Sequence, residues 1–542
     1  MKKHLLLAVS IILFLGFPFS TSIFAQNSNE NVKIAKFKNW QNTDLKKDKK
    51  NGVSTQKAYN ELLKGKTSSE IVVAVIDGGI DIYHEDLKEV IWTNSKEISG
   101  NGVDDDKNGY IDDIHGWNFI GGAKGNIIFE SLECTREYNR LRNKYDGKKF
   151  KDVNISDTVE FRYYKRVEAV YKKERTEADE YYEMYNNVKN RFDKASKIVK
   201  NYSKITSINL KDLKNITVID NIEVQDSKEY LIKLFELGLD SNTIAETFKH
   251  FETKYKYHTN VDCNVRSIVG DDPYNFNDSI YGNNDVKGEN STHGTMVSGL
   301  IAAKRNNNIG IDGIADNIKI MCIRVVPDGD ERDKDVALAI RYAVNNGAKI
   351  INMSFGKEFS LQSKLVLEAI EYAADNNVLL IHASGNDASD IDIVSNFPSS
   401  LMVNSSRAND SYIEVGSNTI YKNKNMVASF SNYGATTVDI LAPGKDIYST
   451  IPENKYDFAD GTSLSCPIVS GIAALVWSYN PRLTAKQVKE IIMKSGTSFT
   501  NKKVLCPYNS EGKKPKVKFA TICVTGMIAN VYNALILAEQ YK

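Results

Sequence analysis

Apolar positions follow two different rhythms along this chain. Ile71 to Ile76 is an unbroken run rich in Val and Ile, closed by Asp77-Gly78-Gly79. A run of that length and composition is how a strand buried on both faces reads. The same texture returns near Gly294 and continues to the C-terminus: 319–326, 349–354 and 378–383 read as strands, with helices at 335–346 and 365–376. Strands alternating with helices of ten or more residues predict βαβ units, hence an α/β fold with a mostly parallel sheet and helices on both faces. Between about 127 and 265 the rhythm changes. No Gly or Pro occurs between Gly147 and Gly238, and Ala178, Tyr181, Tyr185, Val188, Phe192, Ala195 and Val199 step by three and four. That is heptad spacing on a helix. Further helical stretches read at 230–237 and 241–257. We expect an inserted all-α subdomain, a hairpin or small bundle, whose Tyr-rich stripe is its own core; a binding surface is the alternative.

The N-terminus is an address. Lys2 and Lys3 precede an apolar run from Leu5 to Phe17, and Ala25 stands before Gln26. This reads as a secretory signal peptide over 1–25, so the chain is expected in the periplasm or outside the cell. No later run approaches the roughly 18 apolar residues of a spanning helix. Residues 26–69 are polar and Lys-rich, a short propeptide, a mature N-terminus or both. The chain then divides into 70–126, the insert at 127–265, and 266–542.

Charge narrows the partners. The 542 residues carry 70 Lys and Arg against 69 Asp and Glu, a net charge of +1. That balance argues against nucleic acid or an anionic membrane as the main partner. Six cysteines are too few for a disulfide-dense scaffold. Cys322 and Cys466 fall in core elements as free thiols, whereas Cys134 with Cys263 and Cys506 with Cys523 are candidate pairs among the three connectivities that four cysteines allow.

Four segments carry candidate chemistry. Asp77 ends the first buried strand, the edge where sites form in open α/β sheets. His293 opens an apolar helix, with Gly294 behind it allowing another backbone to approach closely. Ser463, in Gly461-Thr462-Ser463-Leu464-Ser465-Cys466-Pro467, stands at the start of a small-residue, apolar helix. There the free N–H groups favour developing negative charge. Asn386, in His382-Ala383-Ser384-Gly385-Asn386-Asp387, ends another strand, where its amide can donate to an oxyanion.

Taken in chain order, Asp77, His293, Asn386 and Ser463, the segments resemble one family, the subtilisin-like serine proteases (subtilases, peptidase family S8). The likeness is carried by Ala74-Val75-Ile76-Asp77-Gly78-Gly79-Ile80, Ser291-Thr292-His293-Gly294-Thr295, Ala383-Ser384-Gly385-Asn386-Asp387 and the Ser463 segment, with Phe430-Ser431-Asn432-Tyr433-Gly434 and Leu441-Ala442-Pro443-Gly444. It implies a three-layer α/β fold and a secreted endopeptidase that acts on proteins or peptides without an organic cofactor. It also implies Asp77, His293 and Ser463 as a triad and Asn386 in the oxyanion hole. Ser354, Phe355 and Gly356 would pair with extended substrate, facing Ala383, Ser384 and Gly385 across the primary specificity pocket. A ligating enzyme on the same scaffold, or an inert scaffold presenting the insert, are the rival readings. Asp77 and His293 lie 216 positions apart, against about 32 in the family's type member; the insert accounts for the excess. Lys357 follows the edge segment where a small residue is common.

One further motif lies outside the triad. Asp104-Asp105-Asp106-Lys107-Asn108-Gly109-Tyr110-Ile111-Asp112-Asp113 has D-x-D-x-N-G spacing. Asp104, Asp106, Asn108, the Tyr110 carbonyl and Asp112 are therefore candidate ligands of a structural Ca²⁺; an Asx-rich turn is the alternative.

Overall fold

A computed structural model describes residues 31–399, 410–507 and 515–541; the signal-peptide reading lies outside the described residues. Strands β1 (Ile71–Asp77), β2 (Gly116–Asn118), β3 (Ile318–Arg324), β4 (Ile350–Met353), β5 (Leu379–Ala383), β6 (Tyr412–Asn418), β7 (Ile440–Pro443), β8 (Thr497–Ser498) and β9 (Met527–Ile528) form one sheet in the order β8-β9-β7-β6-β5-β4-β1-β3-β2. Only β8 and β9 pair antiparallel. In β1, Ile71, Val73 and Val75 enter one apolar cluster while Ala74 and Ile76 enter another. This is the period-two alternation of a strand covered on both faces. Helices α1 (Thr292–Ala302) and α4 (Thr462–Tyr479) fill the first face; α2 (Asp333–Asn345) and α3 (Ser363–Asp375) fill the second. The result is the three-layer α/β fold expected from the alternation of elements. β1 is flanked by β3 on one side and β4 on the other, so the strand order reverses direction at β1. The carboxyl edge of such a switch point opens a crevice, and Asp77 is the last residue there.

Helix α4 is apolar all round, and it is the one described helix long and apolar enough to cross a membrane; it is 89% buried. Its Gly471 is required by contact, because a Cβ there would lie 2.6 Å from Ile314. The N-terminal segment also belongs to this core. Phe37, Trp40, Val53, Ala58 and Leu63 are buried in the same cluster as β1 and α4.

Residues 134–263 form a compact unit of their own. Its long helix, Thr158–Ser203, packs against Ile222–Glu236 and Ser241–Thr253. Asn221 and Asp240 cap the two shorter helices by accepting the Val224 and Thr243 N–H groups, which sets their starts. The first therefore begins well before 230, and the second gives way to a π-turn over Lys254–His258. Ala178, Tyr185, Phe192, Ala195 and Val199 are buried, and Tyr185 stacks on Phe251 at 5.2 Å. The stripe is thus largely internal to the unit. Short helices at Glu133–Tyr145 and Leu210–Asn215 escaped the periodicity.

Cys322 and Cys466 are buried free thiols, but Cys506 and Cys523 do not form the expected bridge. Both are buried in one apolar cluster. Burial pushes the Cys523 thiol up to about 11.

Beyond the insert, Arg266 anchors the returning chain. Its guanidinium donates to both Asp335 oxygens at 2.8 and 2.7 Å and to Asp271 at 2.5 and 2.9 Å. Both carboxylate side chains are fully buried. Removing one partner of a buried pair strands the other. Arg266→Ala is expected to cost about 3–5 kcal/mol in urea unfolding, and a loss below 1 kcal/mol would contradict this reading.

Candidate active site

Asp77 is held by its own turn: Oδ1 accepts the Gly78 N–H at 2.8 Å. Both its oxygens lie against His293 Nδ1, at 3.0 and 2.9 Å. His293 is the second residue of α1. Gly294 permits this approach, since a Cβ there would stand 2.3 Å from the Gly79 carbonyl and 3.1 Å from Asp77 Oδ1. The Nδ1 proton therefore belongs to the Asp77 contact, and Nε2 is left as the basic nitrogen. The His293 side chain is 44% exposed. Desolvation pulls its pKa down, but the Asp77 carboxylate outweighs this and holds it above the ordinary value.

Ser463 is the second residue of α4, which packs against α1. Asn386 is oriented by the residue beside it: Oδ1 accepts the Thr462 N–H at 2.9 Å and the Thr462 hydroxyl at 3.0 Å. With Oδ1 committed to donors, Nδ2 is the free-facing end of the amide. A Cβ built on Gly461 would meet Ser463 Oγ at 2.8 Å and Asn386 Nδ2 at 3.6 Å, so hydroxyl and amide converge on one point. Helix α4 carries Pro467 in its second turn. Proline has no N–H for the carbonyl four residues back, which is that of Ser463. Ser354 Oγ supplies the missing donor at 2.9 Å. The edge segment is thereby tied to the backbone of the Ser463 turn.

The two expected pocket walls are also linked to each other. His382 Nε2 donates to the Phe355 carbonyl at 2.7 Å, and its Nδ1 lies 3.0 Å from both oxygens of Glu414. Gly385 N–H reaches Thr462 Oγ1 at 3.1 Å. Asn432 braces the loop that carries Asn386, accepting the Asp387 and Ser389 N–H groups at 2.9 Å and donating to the Ser384 carbonyl at 2.8 Å. Gly385, at φ +97°, is necessary here, because a Cβ would lie 2.4 Å from Asn432 Nδ2.

A model of the subtilase family (Peptidase_S8) matches residues 68–513. The chain belongs to the subtilase family. Subtilases are serine peptidases, and the curated relatives carry such names. A thermophilic serine proteinase of Bacillus sp. (strain AK1) is 35% identical over 248 residues, 45% of this chain and 56% of that protein. Subtilisin DY of Bacillus licheniformis is 34% identical over 207 residues, 38% and 70% of the two chains. The match thus spans about half of the first relative's length. Among solved structures, one described as the structural basis of subtilase cytotoxin SubAB assembly is 27% identical, covers 46% of this chain and 77% of its own, and has a TM-score of 0.38.

Two features of this subtilase take their meaning only from the fold. His382 is fully buried, and both its nitrogens face acceptors, so it is an imidazolium. Burial lowers its pKa, but Glu414 raises it further, to a net increase. A folded pKa above the unfolded one adds stability that is complete below the unfolded pKa and disappears as pH rises through the folded one. The stability gap between wild type and His382→Gln is therefore expected to shrink as pH rises above about 6.5, read by urea unfolding in a Ser463→Ala background. A gap that widens would refute the charged pair. Lys357 is the second feature. Its ammonium is buried and donates to Glu133 at 2.9 Å and to the Glu331 carbonyl at 2.7 Å, with Asp333 at 2.8 Å. The residue that departs from the family pattern thus locks the far end of the edge segment.

The acidic loop brings a further carboxylate to its reading. Asp104 and Asp106 do converge, but with Glu97: their carboxylate oxygens lie within 4.8 Å of one another. Asp112 instead accepts the Gly100, Asn101 and Gly102 N–H groups. Asn108 Oδ1 is occupied by the Tyr110 N–H at 2.8 Å. Glu97 is capped in the same way, accepting the Asp105, Asp106 and Asp112 N–H groups, so this capping orders the loop and takes neither carboxylate out of the candidate ligand set.

Proposed function

We propose that this subtilase is an exported serine endopeptidase working through an acyl-enzyme. The reading rests on one juxtaposition: a serine hydroxyl and an oriented amide N–H at the start of a buried helix, with a carboxylate-bound imidazole on the helix packed beside it. Ser463 Oγ attacks the peptide carbonyl and passes its proton to His293 Nε2. The oxyanion takes hydrogen bonds from Asn386 Nδ2 and from the Ser463 N–H, one of the first-turn groups with no intrahelical partner. Collapse breaks the C–N bond as His293 returns the proton to the leaving amine. Water, activated by the same imidazole, then releases the acid. Extended substrate adds as a strand to Ser354–Gly356. Export rests on Lys2, the Leu5–Phe17 run and Ala25.

The test is labelling of the purified protein by a fluorophosphonate, alongside hydrolysis of a mixed peptide library. Adduct at Ser463 with peptides cut to free acids supports the reading. A labelled protein that yields only new amide bonds favours ligation, and an unlabelled, inactive protein refutes the triad.

The calcium reading takes Asp104, Asp106, Asn108, the Tyr110 carbonyl and Asp112, and adds Glu97, whose carboxylate converges with those of Asp104 and Asp106. Three carboxylates are hard oxygen donors of the kind Ca²⁺ prefers. Bound at about 100 times its Kd, the ion would add about 2.7 kcal/mol. Thermal unfolding in millimolar Ca²⁺ should exceed that in EGTA, and Glu97→Gln with Asp104→Asn should abolish the difference.

A further inference from the structure

The pocket between the two walls starts at Ser463, where Ser354 is fastened, and it must end somewhere. The residue that closes it lies in neither wall. Phe397 is laddered to the end of the edge segment: the Lys357 N–H donates to the Phe397 carbonyl at 3.0 Å, and the Phe397 N–H to the Lys357 carbonyl at 2.8 Å. The Tyr412 hydroxyl holds the following Pro398 carbonyl at 2.8 Å. This places the Asn396 side chain between the walls. Its Nδ2 donates to the Ala383 carbonyl at 3.2 Å and toward Glu414 Oε1 at 3.4 Å. Its Oδ1 faces the Gly356 α-carbon, where a Cβ would come within 2.7 Å of it. Both groups around Nδ2 are acceptors, so the network fixes which end of the amide is which. The end turned to the space that Gly356 leaves vacant is therefore an acceptor. Its partner Nδ2 donates toward a carboxylate, which further polarises Oδ1 toward negative charge.

We infer that Asn396 is the specificity-determining residue of this pocket. It selects substrates whose residue on the acyl side of the scissile bond (P1) carries an N–H donor, Lys, Arg or Gln, over Leu and Phe. The inference rests on the peptidase reading above. An apolar P1 side chain would cover the amide oxygen without replacing its bond to water, and a buried acceptor left unpaired is penalised more than a made hydrogen bond is rewarded. Ser384 on the facing wall does not compete for this role, since its hydroxyl is turned to the Asn432 carbonyl at 3.3 Å.

The experiment compares kcat/KM for peptides identical except at P1, with Gln, Lys, Leu and Phe. Wild type should favour Gln and Lys over Leu and Phe by at least about tenfold. Asn396→Ala should reduce that ratio about tenfold or more, a comparison within one variant in which any overall change of rate cancels. Asn396→Asp, which gains a charge rather than losing a contact, should raise Lys over Gln by a similar factor. That gain keeps the test decisive even where the alanine variant folds poorly. Wild type preferring Leu or Phe overturns the inference and leaves the peptidase reading standing, as does an unchanged ratio in both variants. No cleavage and no labelling overturns both.

Discussion

In Ser463→Ala, kcat/KM on a peptide that wild type cleaves should fall by roughly 10⁶-fold. The size follows from what is removed. Without Oγ there is no acyl-enzyme, and His293 and Asp77 have nothing to activate, so the whole relay is lost at once. What survives is binding and the oxyanion donors, worth roughly 10³–10⁴ over water. The variant should otherwise be intact. Ser463 contributes its carbonyl, not its hydroxyl, to the Ser354 contact, so that link between edge segment and helix persists. Unfolding free energy should therefore change by less than about 0.5 kcal/mol, and fluorophosphonate labelling should vanish. Residual activity within 10³-fold of wild type would mean that another group is the nucleophile, and the assignment would fail.

How much of this was readable beforehand depended on whether the signal was local. Ile71 to Ile76 declares a doubly buried strand in six letters, and its alternate residues do enter two different clusters. The stripe from Ala178 to Val199 declares a helix with an interior face, because its signal repeats every three or four residues. The positions of Asp77, His293, Asn386 and Ser463 stood out because each sits where an element begins or ends, beside glycine or small residues. Contacts made across the sheet left no such mark. Nothing near Asn396 shows that it will reach both Gly356 and Ala383. His382 had only its place one residue before the wall, while its partner Glu414 lies on the next strand. The metal reading lacked one residue for the same reason. The loop's own spacing was visible, but Glu97, which converges with Asp104 and Asp106, precedes the motif, and the three N–H groups that Asp112 accepts come from Gly100, Asn101 and Gly102. Lys357 was noticed as a departure, yet its meaning lay in Glu133 and Asp333. Asn432 lay in a recognisable stretch, but its brace on the Asn386 loop is tertiary.

Asp77→Asn should lower kcat by about 10⁴-fold with little change in geometry, a smaller loss than that of Ser463. An amide at this position has a donor end, and facing Nδ1 with it would place the imidazole proton on Nε2. That tautomer cannot accept the Ser463 proton. The same substitution should move the pH profile in a defined direction. In wild type the imidazole must be neutral to act, and Asp77 holds its pKa above the ordinary value against the opposing pull of burial. Activity therefore rises with pH through that elevated pKa. With the carboxylate gone, burial alone remains, so the residual activity of Asp77→Asn should turn on at lower pH than wild type. Stability carries the matching sign. The raised folded pKa of His293 stabilises the native state below the unfolded pKa, and this is lost as pH rises through the folded value. The His293 contribution to the stability difference between wild type and Asp77→Asn should accordingly be largest in mild acid and fade toward alkaline pH. It can be isolated by repeating the comparison with His293→Ala, in which the pH-dependent part should disappear. An acid limb that stays in place or moves upward in Asp77→Asn would show that the carboxylate is not what charges the imidazole. The base would then have to be sought elsewhere in the cleft.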